Sequence, residues 1–168
     1  MQNNHWLPNE IIVTDRLGLR VIKSLDVPFL IRLWTDEKVR KHLGGILTIE
    51  KAEQRANEYI DKKGYFCVIE RDNGKVIGLC SLDKYRTGDI EVSYQFLPEE
   101  WGKGFGREAI VAVIQWGFKN MGINHIIAVT QKTNIKSRKL LEDIGMSVID
   151  EFMEFNEPQV MYSLKSRV

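Results

Sequence analysis

The residues Phe96-Leu-Pro-Glu-Glu-Trp-Gly-Lys-Gly-Phe-Gly-Arg-Glu-Ala109 are the most informative in the chain. Gly102, Gly104 and Gly106 stand between the end of a β-rich run and a long amphipathic pattern that predicts a helix over 104–121. Glycines let a backbone approach a ligand closely, and the first N–H groups of a helix have no partner within the helix. Together with the positive end of the helix dipole, these groups predict an anion site, best suited to phosphate.

Spacing alone leaves several interpretations of this loop open. A P-loop would need a closing Lys-Ser or Lys-Thr, which is absent, and a dinucleotide fingerprint would need its last glycine one residue after Gly106. A plain loop-to-helix junction with packing glycines fits the spacing about as well as a phosphate site. A nucleotide-binding protein that uses the same loop is a weaker alternative, which competition between ATP and CoA would test.

The hydrophobic pattern on both sides of the loop predicts an α+β fold. Before the loop, the pattern predicts a strand at 17–21, helices at 24–36 and 48–64, and an antiparallel meander at 65–70, 75–82 and 89–97. After the loop, it predicts a helix at 104–121, a strand at 125–129, a helix at 134–144, and a hairpin of 148–155 with 159–164. The order is therefore β-α-α-β-β-β-α-β-α-β-β.

Three local signals refine this prediction. Ser24 or Asp26 is expected to cap the first helix, and Thr48 the second. Asn73-Gly74 predicts a tight hairpin, because both residues tolerate a positive φ. The mixture of antiparallel strands with one strand–helix–strand crossover at the glycine loop predicts a mixed sheet.

Composition and charge exclude several classes of protein. The chain has 168 residues, 43% of them hydrophobic, and a net charge of +1. We therefore expect one folded domain over 1–168, and no direct nucleic-acid binding through a bulk basic surface. The first residues do not read as a signal peptide, and the longest apolar run, 109–114, is too short to cross a bilayer, so the prediction is a soluble cytoplasmic protein without membrane contact.

The cysteines and histidines do not predict a metal or redox site. Cys67 and Cys80 lie in apolar strand-like runs and are best interpreted as small buried side chains. His5, His42 and His125 are scattered without the spacing of metal ligands, so no metal is expected.

Several stretches together resemble the GNAT superfamily of N-acetyltransferases. A strand, then Leu97-x-x-x-Trp101-Gly-x-Gly-x-Gly106, then a helix, is similar to its acyl-CoA-binding motif. Glu91-Val-Ser-Tyr94 with Trp101-Gly-Lys-Gly-Phe-Gly-Arg-Glu-Ala109 resembles the RimJ/RimL-type branch, which acetylates protein N-termini. Further stretches fit this branch in order along the chain, namely Thr14-Asp-Arg16-Leu-x-Leu19-Arg20, Asn134-x-x-Ser137-x-x-Leu140-x-Glu142-x-x-Gly145-Met146 and the closing hairpin. The resemblance implies a mixed, mostly antiparallel sheet of about seven strands flanked by about four helices.

The same resemblance implies acetyl-CoA (coenzyme A) as a cosubstrate. Its pyrophosphate would lie on the N–H groups of the glycine loop, and its pantetheine arm would pair with the strand before the loop, beside the strand at 125–129, which splays away. The implied cofactor-binding residues are Gln95, Phe96, Leu97, Gly102, Lys103, Gly104, Phe105, Gly106, Arg107 and Asn134. Solvent exposure is as good an interpretation of the Lys103 and Arg107 side chains as phosphate contact, and helix capping is a strong alternative for Asn134.

Two residues are implied as catalytic. Ser137 shares an inward helical stripe with Leu140, Leu141 and Ile144, and the resemblance makes it the donor that protonates the departing CoA thiolate. The ordinary alternative is a hydroxyl that bonds a carbonyl one turn back. Glu91 lies on the polar face of its strand, where solvation is ordinary; the resemblance makes it the base that takes a proton from an amine, directly or through water.

The acceptor is implied only as a primary amine, such as a peptide N-terminus, a polyamine, an antibiotic or an amino acid. The cleft for it is expected at 34–47 and 152–159, where Glu151, Glu154 and Glu157 could attract a cation. A non-catalytic CoA-binding sensor or interaction module of the same fold is the alternative function. The sequence leaves open whether the chain forms a homodimer.

Overall fold

The computed structural model describes residues 11–167 and contains five α-helices and eight strands within that range. The strands are β1 (Ile12–Val13), β2 (Leu17–Val21), β3 (Tyr65–Glu70), β4 (Lys75–Lys84), β5 (Ile90–Phe96), β6 (His125–Gln131), β7 (Ser147–Glu154) and β8 (Glu157–Lys165). The helices are α1 (Val27–Thr35), α2 (Glu37–Arg40), α3 (Ile49–Tyr59), α4 (Phe105–Asn120) and α5 (Ile135–Asp143). Short 3-10 turns lie at Ser24–Asp26 and Pro98–Glu100. The predicted α+β fold class is confirmed.

The strands form one mixed sheet in the order β1-β2-β3-β4-β5-β6-β8-β7. Every pairing is antiparallel except that of β5 with β6, which are joined by the crossover through α4. The predicted meander of β3, β4 and β5 is therefore confirmed. The second strand of the closing hairpin, β8, lies between β6 and β7.

The parallel pair β5–β6 separates soon after it begins. Its ladder consists of two pairs, Ile90 with Ile126 and Glu91 with Ile127. Beyond these pairs β5 continues beside β4 as far as Phe96, whereas β6 continues beside β8 as far as Gln131. A gap thus opens in the middle of the sheet, and its β5 side leads directly to the glycine loop.

A separate hydrophobic cluster covers each face of the sheet. On one face, Phe105, Ile110 and Val113 of α4 pack with β5 side chains such as Val92 and Phe96. On the other face, α1, α2 and α3 form a cluster with inward side chains of β3 and β4, including Leu33, Trp34, Ala56, Cys67 and Leu79. Alternation along β5 sends its side chains to these two faces in turn.

The structure corrects three local predictions. Asp26 does not cap α1; its carboxylate is buried and accepts hydrogen bonds from the Arg20 guanidinium at 2.6 and 2.9 Å. The hairpin after β3 has a positive φ at Gly74 alone, in a four-residue turn closed by its N–H to the Glu70 carbonyl at 2.9 Å. The sequence pattern also missed β1 and α2, whose two and four residues are too short to show a period. The cap predicted for Thr48 is confirmed, because its side chain accepts from the N–H of Lys51.

Candidate active site

The glycine loop presents a cluster of backbone donors. Gly102 and Gly104 have φ of +76° and +81°, which L-residues with a side chain rarely adopt. The first intrahelical bond of α4 runs from the N–H of Glu108 to the carbonyl of Gly104 at 3.1 Å. The four N–H groups of residues 104–107 consequently lack an acceptor within the helix and lie at its positive end.

Gly106 lies where the first turn of α4 approaches α5 and the end of β5. A Cβ built on Gly106 would lie 3.6 Å from Leu140 of α5 and 3.9 Å from the Phe96 ring, which is ordinary van der Waals contact. The absence of a side chain thus leaves about the space of a methyl group between α4, α5 and β5, and we call the region between these elements the channel. The four N–H groups beside it fit a diphosphate.

Two of the three side chains of the loop are engaged elsewhere. The Lys103 ammonium bonds the Glu100 carboxylate at 3.0 Å, and Glu100 is buried and also holds Lys75 at 2.9 Å. Phe105 is buried in the core beneath α4, so only its backbone is available, while Arg107 is exposed. The donors that the loop leaves available to an anion are thus its main-chain N–H groups and the Arg107 side chain.

The main chain of β5 faces the gap at alternate residues. Leu97 donates its N–H to the Ile77 carbonyl on β4 at 3.3 Å, and its carbonyl accepts from the N–H of Glu100 at 2.9 Å. In an antiparallel ladder, successive residues direct their backbone groups to opposite sides. Gln95 therefore faces β4 like Leu97, whereas Tyr94 and Phe96 face the gap.

This alternation changes the predicted set of main-chain contacts. Of the three residues expected to pair with a cofactor arm, only Phe96 directs its backbone into the gap, and Tyr94 joins it. The Phe96 carbonyl accepts a hydrogen bond from the Trp101 indole N–H at 2.9 Å. The Phe96 N–H and the backbone groups of Tyr94 are thus the polar groups of β5 that line this edge.

A hydroxyl pair lies across the channel between β5 and α5. The Tyr94 hydroxyl and Ser137 Oγ are 2.8 Å apart, and both side chains are partly buried. Ser137 is oriented by the cap of α5, where its N–H donates to Asn134 Oδ1 at 3.2 Å. Burial raises the pKa of Tyr94, an effect that the hydrogen bond to Ser137 partly offsets, so the phenol is protonated at neutral pH.

Tyr94 is the residue that sequence reasoning missed. The alternation along β5 predicts it on the apolar face of the strand, which is correct for its ring. Its hydroxyl, however, pairs with Ser137, whose ordinary alternative to a catalytic role was a bond to a carbonyl of its own helix. The available signal was a phenol on the same inward face as a helical serine, but only the fold brings residues 43 positions apart together.

Glu91 lies at the point where β5 and β6 separate. It is opposite Asp83 in the β4–β5 register, and a backbone hydrogen bond joins its carboxylate to Val129 on β6. Burial raises its pKa to about 7, with further increases from the nearby negative charges of Glu154 and Asp83; the Val129 bond opposes the shift. This partly buried carboxylate can therefore exchange a proton near neutral pH.

Two of the three acidic side chains expected in the cleft are already paired. Glu151 accepts from Lys132 at 2.9 Å, and Glu154 forms a close ion pair with Arg86. Asp83 accepts from the Tyr65 hydroxyl and lies 3.7 Å from the Lys62 ammonium. Within residues 11–167, no ion pair is found for Glu91 or for the exposed Glu157, so these two carboxylates are the ones available to a cation, Glu91 at the gap and Glu157 on the closing hairpin.

The cysteines and histidines take structural positions. Cys67 and Cys80 are fully buried, and burial raises the pKa of both thiols, so neither supplies a thiolate. His42 and His125 contact Gln131 and Ser163 at 3.1 and 2.6 Å. The described part of the chain contains no group of three or more His, Cys, Asp or Glu that could hold a metal ion, and no helix long and apolar enough to span a membrane. His5 lies outside the described residues.

Comparison with known proteins identifies the family. The family model described as an acetyltransferase (GNAT) domain matches residues 16–147, which contain both the gap in the sheet and the glycine loop. The chain belongs to the GNAT acetyltransferase family. The expected enzyme class is thereby confirmed.

Similar proteins agree with this assignment. The uncharacterized N-acetyltransferase YnaD of Bacillus subtilis is 33% identical over 138 residues, which cover 80% of this chain and 81% of YnaD. A GNAT-family acetyltransferase structure from Bacillus anthracis superimposes with a TM-score of 0.83 at 27% identity, covering 92% of this chain and 97% of that one. A spermidine N-acetyltransferase from Vibrio cholerae, solved with CoA and spermine, shares the fold with a TM-score of 0.77 at 20% identity, covering 91% of this chain and 97% of that one.

Proposed function

We propose that this GNAT acetyltransferase, acting as one domain, transfers the acetyl group of acetyl-CoA to a primary amine by direct attack in a ternary complex. The observation that carries the proposal is the continuity of three features. The free N–H groups of residues 104–107 lead into the β5–β6 gap, the gap leads past the Tyr94–Ser137 pair, and Glu91 lies where the gap closes.

The donor would be held mainly by backbone. The N–H groups of Gly104 to Arg107 would bind the diphosphate, and the backbone groups of Tyr94 and Phe96 would bind the pantetheine arm as a short extra strand. An N–H in this gap can also bond the thioester oxygen, on which negative charge develops during aminolysis. Asn134, whose side chain caps α5, orients Ser137 beside the same channel.

The proton transfers are assigned to two residues. The ammonium form of the amine loses one proton to Glu91, directly or through water, and its nitrogen lone pair then forms a bond to the acetyl carbonyl carbon. As the carbon–sulfur bond breaks, its electron pair passes to sulfur; Ser137 donates its proton to that sulfur and regains one from the attacking nitrogen, which becomes the amide nitrogen. The Tyr94 hydroxyl, 2.8 Å from Ser137, supports this donation by supplying a hydrogen bond to the serine oxygen.

The acceptor is proposed as a primary amine that is cationic in solution. The unpaired Glu91 carboxylate favours such a group at the end of the gap, while the paired Glu151 and Glu154 contribute little further attraction. The resemblance to the RimJ/RimL-type branch supports a protein N-terminus as the acceptor, and small polyamines, antibiotics and amino acids belong to the same chemical class.

The experiment is a panel of acceptors assayed with acetyl-CoA by release of free thiol and by mass of the product. Peptides with different first residues, polyamines, aminoglycosides and amino acids cover the acceptor classes. Turnover with one class that is lost in Ser137→Ala supports the proposal. CoA binding without turnover on any acceptor would instead favour the non-catalytic sensor.

A further inference from the structure

Arg16 connects the first hairpin of the chain to the glycine loop. It lies in the turn between β1 and β2, and its Nη1 donates to the carbonyl of Lys103 at 2.8 Å. Its Nε donates to the Glu108 carboxylate at 2.7 Å, and its guanidinium carbon lies 4.6 Å from the centre of the Phe105 ring. One side chain therefore touches the loop, the first turn of α4 and the buried ring beneath them.

The bond to Lys103 fixes the direction of the next amide. In a planar trans peptide, the C=O of Lys103 and the N–H of Gly104 point in opposite directions. Because Arg16 holds this carbonyl toward the β1–β2 turn, the Gly104 N–H points to the other side of the loop, and no carbonyl oxygen of this peptide faces an anion there. A charged donor on the carbonyl also polarises the peptide and strengthens its N–H as a donor.

The ion pair with Arg16 compensates the negative charge of Glu108, which would otherwise be unfavourable for an anion at this helix end. Glu108 lies in the first turn of α4, and its carboxylate also accepts from Thr14 Oγ1 at 2.6 Å and from the Arg16 N–H at 3.0 Å. Burial alone would raise its pKa, but the hydrogen bonds from Thr14 and Arg16 outweigh burial and lower it, so the group is ionised. Without the guanidinium, this negative charge would oppose a diphosphate at the same helix end.

The β1–β2 hairpin does not need the Arg16 side chain in order to form. Backbone bonds from Ile11 to Leu19 and from Thr14 to Leu17, both 2.8 Å, hold the two strands. The guanidinium is also half-exposed, with 46% of the side chain accessible, and after its removal the Glu108 carboxylate still accepts from Thr14 Oγ1 and from the backbone N–H of residue 16. Its contacts are thus directed at the loop rather than at the fold.

We infer that Arg16 is a positioning residue for the phosphate-bearing part of the acyl donor, which it favours by orienting the Gly104 amide and neutralising Glu108. The inference rests on the proposed function, because it assumes that the diphosphate of acetyl-CoA binds at this loop. It predicts that Arg16 matters for donors that carry the diphosphate and not for donors that lack it.

The test compares acetyl-CoA with S-acetylpantetheine, which carries the thioester arm but no phosphate. In Arg16→Gln, the KM for acetyl-CoA and the CoA dissociation constant measured by calorimetry are expected to rise at least about 10-fold, the effect typical of losing a charged hydrogen bond. The kcat at saturating acetyl-CoA and the kcat/KM for S-acetylpantetheine stay within about twofold of the unaltered protein, because a chemical step that does not involve the diphosphate is left intact. Arg16→Lys, which keeps the charge but loses the forked geometry, gives an intermediate KM.

Lys23→Gln is the control, since Lys23 forms an exposed ion pair with Asp61, a residue outside both the glycine loop and the turn that precedes it. It should leave the parameters for both donors unchanged. An equal loss with both donors in Arg16→Gln, or an unchanged CoA affinity, would overturn the inference, and Arg16→Lys gives the same comparison if Arg16→Gln does not fold. Failure of the unaltered protein to bind CoA would overturn the proposed function and this inference together, whereas CoA binding that is insensitive to Arg16 overturns the inference alone.

Discussion

Glu91 is held in an environment that makes its proton exchangeable near neutral pH. Burial raises its pKa to about 7, and the bond to Val129 keeps the shift from being larger. A base must be deprotonated to act, so the rate should follow the ionisation of this carboxylate. The sequence pattern predicts Glu91 on a polar face of its strand, but the pKa shift comes from the closing of the gap around it.

With an acceptor whose amine titrates above pH 9, kcat/KM is expected to rise through an apparent pKa of about 7, before the rise caused by the amine itself. A pH–rate profile measured between pH 5 and 10 checks this. In Glu91→Gln the limb near pH 7 should disappear and only the limb of the amine should remain. Persistence of the lower limb in that variant would assign it to another group.

The raised pKa of Glu91 also affects stability. Ionisation of Glu91 favours the proposed reaction, but it lowers the stability of the folded protein. The folded protein binds the Glu91 proton more tightly than the unfolded chain does, so this group lowers stability as the pH rises from about 4.5 to about 7. Glu91→Gln removes that effect. Its melting temperature relative to the unaltered protein should therefore be higher at pH 8 than at pH 5.

We expect substitutions in the Tyr94–Ser137 pair to lower kcat by unequal and non-additive factors. Ser137→Ala should lower kcat about 100-fold, as expected for the loss of a general acid, and Tyr94→Phe about fivefold, as expected for one neutral hydrogen bond. Because Tyr94 acts through Ser137, the double variant should be no slower than Ser137→Ala. Steady-state kinetics of the three variants checks this.

Ser163→Ala is the control, since it breaks a hydroxyl contact with His125 outside the gap. Its kcat should stay within about twofold of the unaltered protein. Losses from Tyr94→Phe and Ser137→Ala that simply multiply would mean that the two hydroxyls act independently.

At the scale of elements, the start of α4 combines the unbonded N–H groups of a helix end with glycines of positive φ, which set the directions of those groups. Gly104 has a φ of +81°, and a Cβ there would approach Arg16 Nη2 to 3.3 Å. Gly122, beyond the other end of the helix, has a φ of +64°, and a Cβ there would meet no atom within 4 Å. The two glycines thus share the backbone conformation but differ in surroundings.

Gly104→Ala is expected to raise the KM for acetyl-CoA at least about 10-fold, because the loop must shift to relieve both the φ strain and the contact with Arg16. Gly122→Ala should lower stability by about 1 kcal/mol through φ strain alone and leave that KM unchanged. Steady-state kinetics and thermal unfolding of both variants separate the effect on the KM for acetyl-CoA from the effect on stability. Equal KM values in the two variants would contradict the role assigned to the loop.

Elements with strong local signals were predictable from the sequence. The 16-residue helix α4 shows its period and follows its glycines, and Thr48 caps α3 as expected. The failures have different causes. β1 and α2 are too short to show a period. Asp26 looked like a helix cap, but its carboxylate accepts instead from Arg20, six residues earlier on β2.

The same distinction applies to the candidate site. Glycine conformations, the Asn134 cap and the position of Ser137 follow from local sequence. The register of β5 against β4 decides that the backbone groups of Tyr94 and Phe96, rather than those of Gln95 and Leu97, face the gap, and no local pattern determines this register.

At the scale of the whole molecule, a buried ion pair joins strand β2 of the sheet to the segment just before helix α1. Arg20 on β2 and Asp26 before α1 have side chains that are 11% and 0% exposed. Burial alone would raise the pKa of Asp26, but Arg20 and the Lys23 N–H outweigh it and hold the pKa below its ordinary value. The pair thus stabilises the fold above the pKa of the unfolded carboxyl, and this contribution is lost as the pH falls through the lower folded pKa.

Asp26→Asn is expected to lower the free energy of unfolding by about 3 kcal/mol at pH 7, because it removes the buried carboxylate that pairs with the Arg20 guanidinium. Urea unfolding at several pH values checks this, and the difference should narrow below about pH 4. Asp61→Asn, which removes an exposed pair with Lys23, should change stability by less than about 1 kcal/mol. A similar loss in both variants would mean that burial of the Arg20 pair is unimportant.

We propose above all that the N–H groups of residues 104–107 at the start of α4 and the gap between β5 and β6 together bind the acyl donor. A crystal structure of the protein with CoA tests it most directly. We expect the diphosphate within hydrogen-bond distance of the N–H groups of residues 104–107, with the arm between β5 and β6 and the sulfur beside Ser137. CoA bound elsewhere, with these amides turned away from it, would contradict the claim.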